Sequence, residues 1–238
     1  MSVSNKTTNV KNVTSMAMLT AMAYVVMLLS KALPQVSGFL QMDLKDTVIC
    51  IGGFVFGPLS AAIISIVVAV VEMFTYSDTG IIGCIMNVLA TVSFCCTASF
   101  VYKKVHTRKG AVIGLACGVI TLTVVMILWN YLITPIYMKI PREVVVSMLP
   151  TVFLPFNLVK GGLNMAVILL LYKPVVTALR KAKLLPESRS AAASQSSMTL
   201  NGVPVEATKK KANAGFLLFA LALLATFVTL TLVLMGII

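Results

Sequence analysis

Apolar positions in this chain gather into seven segments, at about 14–33, 46–57, 58–75, 80–102, 111–133, 147–172 and 214–238. Most approach or exceed the roughly 18 residues that mark a membrane-crossing helix; the second is short. Only helices and closed barrels can satisfy their own backbone in hydrocarbon, so runs of this length predict helices. The third segment opens at Pro58, a residue suited to a first helical turn. Residues 186–208 are polar, rich in Ser and Ala, and lack periodicity, which predicts a disordered linker. The chain therefore divides into a membrane core over 1–180, a basic polar linker over 181–213, and one further transmembrane helix over 214–238. That last segment carries no charge and no amide, so function is expected in residues 1–180. No internal repeat is evident, which argues against an inverted-repeat secondary transporter.

Composition strengthens the membrane reading. Of 238 residues 59% are hydrophobic and 11% charged, with a mean hydropathy of +1.00. A soluble domain of this size has too much surface for that composition. The first apolar run is as long as a span and has no small-residue cleavage site after it, so no cleavable signal peptide is expected.

The formal charge of +12 is read as membrane topology rather than nucleic-acid binding. With the N-terminus in the cytoplasm, the inner loops hold Lys6, Lys11, Lys103, Lys104, Arg108, Lys109, Lys173, Arg180, Lys181, Lys183, Arg189 and Lys209 to Lys211. These are 14 of the 19 basic residues. Lys31, Lys45, Lys139 and Arg142 fall on the outer side, where Asp43, Asp46, Glu72, Asp78 and Glu143 also gather. The five cysteines, Cys50, Cys84, Cys95, Cys96 and Cys117, lie in apolar runs without CxxC spacing or a histidine partner. They read as small packing residues rather than metal ligands, disulfides or a nucleophile.

Candidate chemistry centres on Lys160, alone in the run FLPFNLVKGGLNMAVILLL. Asn157 and Asn164 stand three and four residues away, so the three side chains share one helical face. An ionisable group in hydrocarbon costs at least about 2.5–3.5 kcal/mol and needs a partner, a wet cavity or a ligand. Other polar groups cluster towards the same, outer side. They are Asp43 in the connection PQVSGFLQMDLKD (with Gly38 for flexibility), Glu72, Asn87, and Asn130 in WNYLITPIY. Pro150 and Pro155 interrupt the outer part of the sixth segment, where they free backbone groups to line a cavity. Such a pocket, with aromatic and aliphatic walls and a few fixed donors and acceptors, suits a flat, neutral, polyhydroxylated or amide-bearing molecule.

Plainer readings stand beside these. Lys160 can pair with Glu72 or Asp43 as a structural ion pair. Asn87 and Asn164 can be interhelical hydrogen-bond glue. Trp129, Tyr131 and Tyr137 can form an interfacial aromatic belt, and Asp78 and Glu143 can be solvated loop charges. Ala17 and Ala21, small residues at four-residue spacing in the first segment, let another helix approach closely. The chain has no GxxxxGK[ST] phosphate loop, HExxH or GxSxG, so neither ATP hydrolysis nor another enzyme activity is expected, and no metal site or catalytic residue is assigned.

Three blocks, FLQMDLKDTVICIGGFVFGP, WNYLITPIY and LPFNLVKGG, resemble the riboflavin-specific substrate-binding (S) components of energy-coupling factor (ECF) transporters. The resemblance implies a six-helix core with a vitamin pocket facing outwards in a bacterial cell membrane. It also implies an energising module of one transmembrane coupling subunit and two ATPase subunits, which accounts for the missing phosphate loop. Riboflavin, or FMN, is the implied transported ligand, and no cofactor is implied. Asn130, Asn157 and Lys160 match flavin-contacting positions of that family; Leu40 and its neighbours match the loop that closes over the ligand, and Ala17 and Ala21 match the docking face. The stretch GFLQMD departs from family versions with tyrosine or proline near Met42, and the seventh segment exceeds the six-helix pattern. Rival readings are an S component for another vitamin or precursor, a stand-alone ion-coupled secondary transporter, and a membrane-embedded assembly protein.

Overall fold

Backbone groups in a bilayer must bond within their own segment, and the apolar runs obey that rule. The computed structural model describes residues 2–33, 35–36, 39–76, 79–181 and 214–237. Gly38, Asp78 and the linker over 182–213 lie outside them. Among the described residues the elements are α1 (Ser2–Ser30), α2 (Lys45–Phe56), α3 (Pro58–Thr75), α4 (Gly80–Lys104), α5 (Arg108–Met138) and α6 (Arg142–Met148), then a π-helical turn (Leu149–Phe153), α7 (Leu154–Lys181) and α8 (Ala214–Leu234). Among the described residues, six stretches are long and apolar enough to cross a membrane: Val10–Ser30, Pro58–Thr75, Gly80–Lys104, Arg108–Met138, Arg142–Tyr172 and Gly215–Leu234. The protein is an all-helical, multi-pass membrane protein.

Helix α2 differs from the spans. Its 12 residues reach about 18 Å, against roughly 30 Å of hydrocarbon. Ile49, Cys50, Ile51 and Phe54 pack into the shared core with Leu19, Ile64, Val68, Phe94, Leu115 and Ile168. Gly57 ends it at a φ of 100°, a left-handed conformation that glycine adopts without strain, and Pro58 starts α3 at once.

Close approach of α4 and α5 depends on Gly114 and Gly118, four residues apart. A β-carbon on either would stand 2.7 Å from a carbonyl oxygen, of Ala98 and of Phe94 respectively. Hydroxyls inside the spans bond back to the preceding turn, as Thr20 Oγ1 does to the Met16 carbonyl at 2.8 Å. The cysteines are all free; Cys50 and Cys95 are buried and the rest half-buried.

Several helices outrun their apolar segments. Helix α1 begins at Ser2 rather than near 14, α5 continues past residue 133, through Pro135, to Met138, and the span Arg142–Tyr172 begins before residue 147. Hydropathy marks where a helix meets lipid, whereas its hydrogen bonding continues into the polar interface. The chain reverses at Lys139, which sits in the left-handed region at φ 53°. Helix α8 rests on α7, with the Phe227 ring directly over Gly162. Its far end, with Leu234 and Met235, packs beside Leu40 on the cluster of Val36, Met42, Phe156 and Val159.

Candidate binding cavity

Helices α1, α3 and α5 end, and α4 and α7 begin, at one end of the bundle. The α1–α2 connection folds across that end. Val36 and Leu40 exchange backbone hydrogen bonds of 2.8 and 3.0 Å, and the Gln41 amide donates to the carbonyls of Ser30 and Leu33. Beneath this loop is a cavity of ≈ 470 Å³, within the usual range for a small-molecule site.

Lys160, Asp43, Glu72, Asn87, Asn130, Asn157 and Leu40 all line it, so seven of the eight candidate binding residues meet in one place. The Lys160 ammonium donates to Asp43 Oδ2 at 2.8 Å. Asp43 Oδ1 is buried and has no hydrogen-bond partner among the described residues. Burial alone would raise the Asp43 carboxyl, but the ammonium groups of Lys160 and Lys45 outweigh it and hold it below its ordinary value. Glu72 accepts from Lys45 at 2.6 Å, from Asn87 at 3.4 Å, and pairs with Lys31 at 3.2 Å. Asn130 and Asn157 each anchor their amide N–H on the carbonyl four residues earlier, at 2.7 and 2.8 Å, which orients both carboxamides.

Apolar surface completes the walls: Phe39 and Leu40 from the connection, Met86 and Ala90 from α4, Met126 from α5, and Phe156 from α7. Phe39 meets Phe153 edge to face with ring centroids 6.0 Å apart, so the π-helical turn supports the loop that covers the cavity.

Asn164 is the exception. It is 1% exposed and does not line the cavity. Its Oδ1 accepts from Thr47 at 2.9 Å, and its amide donates to the carbonyls of Asp43 and Lys160 at 3.0 and 3.1 Å. It fastens α7 to the start of α2 one turn below Lys160.

Lys45, expected on the outer side, sits in the first turn of α2 and is 2% exposed. Lys45 and Asp46 lead directly into an apolar run, and that adjacency was the available signal for burial. Asp46 Oδ1 accepts from Thr91 at 2.7 Å. Lys31, Lys45 and Lys160 thus stand against Asp43, Asp46 and Glu72, a formally neutral cluster. Trp129, Tyr131 and Tyr137 do not line the cavity; Tyr131 instead carries the Arg142 guanidinium 5.3 Å from its ring centroid. Glu143 is exposed.

Residues 11–176 match the family model for the ECF transporter, substrate-specific component. The chain belongs to this family. It is a transport subunit that binds substrate, not an enzyme, and α8 lies beyond the matched region. Among curated proteins, the S component is 29% identical over 187 residues to the riboflavin transporter FmnP of Bacillus subtilis, covering 74% of this chain and 98% of that one. It is 28% identical over 178 residues to the riboflavin transporter RibU of Staphylococcus aureus, covering 72% and 93%. A solved S component of a bacterial ECF transporter superposes with a TM-score of 0.62 at 27% identity, covering 72% of this chain and 98% of that one.

Proposed function

We propose that this S component binds riboflavin in the cavity between the α1–α2 connection and the start of α7. The observation that carries the reading is the pairing of two unlike surfaces in one cavity. Phe39, Met86, Met126 and Phe156 offer apolar faces for a flat ring system, while Asn130, Asn157 and Lys160 offer donors and acceptors to hydroxyls and ring carbonyls. Similarity to proteins named as riboflavin transporters supports the same ligand.

In this reading the N-terminus is cytoplasmic, the cavity opens to the outside of a bacterial cell membrane, and Leu40 is part of the loop that closes over the flavin. ATP is hydrolysed by separate subunits coupled through a transmembrane partner. Ala17 and Ala21, both exposed on α1, form the face on which that partner docks.

The decisive experiment is an absorbance and fluorescence titration of detergent-purified protein with riboflavin. Co-purifying flavin bands, or stoichiometric quenching of flavin fluorescence, is the expected result. A colourless protein that leaves added flavin fluorescence unchanged would exclude riboflavin and send the cavity to a screen of other vitamins by thermal shift.

A further inference from the structure

Opposite the flavin cavity, α4 ends at Lys104 and α5 begins at Arg108, and α8 brings its own first turns alongside. Two adjoining hollows open there. One, of ≈ 220 Å³, is lined by Tyr102, His106, Thr107 and Arg108 with the apolar Ile168 and Phe216 among its walls. The other, of ≈ 300 Å³, runs along the bundle surface between Arg108, Lys109, Val112, Ile113, Phe216 and Phe219. They share Arg108 and Phe216, and the Arg108 guanidinium lies 5.7 Å from the Phe216 ring centroid.

We propose that this groove binds an anionic phospholipid, with the headgroup phosphate at Arg108 and Lys109 and an acyl chain along Val112, Ile113, Phe216 and Phe219. Three features favour this occupant. The lining contains cations and no acid, and exposed Lys103 and Lys104 in the same turn add to the positive field. Arg108 opens a membrane span, which sets it at headgroup depth, and the apolar wall descends from it into the hydrocarbon. The N-terminus of α5 is not itself the receptor, because the Gly110 N–H is already taken by the Thr107 hydroxyl at 3.0 Å.

Phe216 and Phe219 come from α8, beyond the family-matched residues 11–176. The cations and one apolar wall come from the S-component core, so the site needs both the core and the added helix.

Native mass spectrometry and thermal shift of the full chain in detergent test the proposal, with phosphatidylglycerol, phosphatidylcholine of the same acyl chains, and free glycerol phosphate as probes. Phosphatidylglycerol should bind and stabilise selectively. Arg108→Gln with Lys109→Gln should weaken it about 30-fold, the effect of two charges near a membrane surface. Phe216→Ala with Phe219→Ala should weaken it without creating any response to free phosphate. Equal binding of the neutral lipid, an unaltered affinity in the Arg108 and Lys109 double variant, or equal protection by glycerol phosphate would overturn the proposal. Should the double variant not fold, Arg108→Lys against Arg108→Gln decides: wild-type affinity in the first and about fivefold loss in the second is expected, and equal affinity in both overturns it.

Discussion

Lys160 of α7 donates to Asp43 across 2.8 Å, although the two are 117 residues apart in sequence. The bond joins the bundle to the loop that covers its cavity, and Asn164 reinforces it from below by holding the Asp43 carbonyl. Lys160 thus lines the cavity while paired with Asp43, so pairing and any contact with a ligand must be separated by experiment.

Replacing Lys160 with Ala strips Asp43 of its direct partner while its second oxygen has none among the described residues. Breaking a buried pair in this way costs about 3–5 kcal/mol, so the variant should melt well below the parent. Asp43→Asn with Lys160→Met should recover much of that loss, because no uncompensated charge remains. Flavin affinity of Lys160→Ala should fall roughly 10- to 150-fold, the effect of one lost hydrogen bond to a charged donor. Unchanged affinity in a folded variant would confine Lys160 to the ion pair.

Asp43 is held below its ordinary value, so its contribution to stability is fully present above the unfolded carboxyl value of about 3.9. That contribution is lost only as pH falls through the lower folded value. Thermal stability and flavin affinity should therefore show no step from Asp43 between about pH 5 and 8. A step in that range that disappears in Asp43→Asn would show that Asp43 titrates there and that the Lys160 pair is not formed.

Ala17 is exposed on α1, so a large side chain there faces outwards without entering the core. Ala17→Trp should prevent co-purification with the coupling subunit and leave flavin affinity unchanged. Recovery of the intact complex would place the docking face on another helix.

Gly162 admits the Phe227 ring of α8 into direct contact with α7. Gly162→Leu should displace that ring and destabilise the protein by about 1–3 kcal/mol, the usual cost of overpacking. Phe227→Ala should restore part of the loss when combined with it. Melting curves of the four proteins test this, and additive effects in the double variant would mean that α8 does not pack at Gly162.

Lys160, Asn130 and Asn157, which line the cavity, were legible as candidates because polar side chains in apolar helices stand out against their neighbours. Lys45 was less so: its place directly before an apolar run hinted at burial, but nothing in the sequence tells whether it faces water or Glu72. Asn164 shares a helical face with Lys160, but that face is longer than the cavity, and its deeper end bonds to α2 instead. The aromatic walls were hidden for a related reason: Phe39 and Phe156 resemble other apolar residues until the loop and α7 meet.

Sequence by itself determined the membrane class, the helices and the polar positions inside apolar runs. Those properties depend on hydropathy along one segment at a time, which the order of residues contains directly. Tertiary structure alone decided which cation pairs with which carboxylate, which asparagine reaches the cavity, and where α8 lies. These depend on distances between segments far apart in the chain, up to 117 residues for Lys160 and Asp43, and on glycine contacts that let particular helices approach.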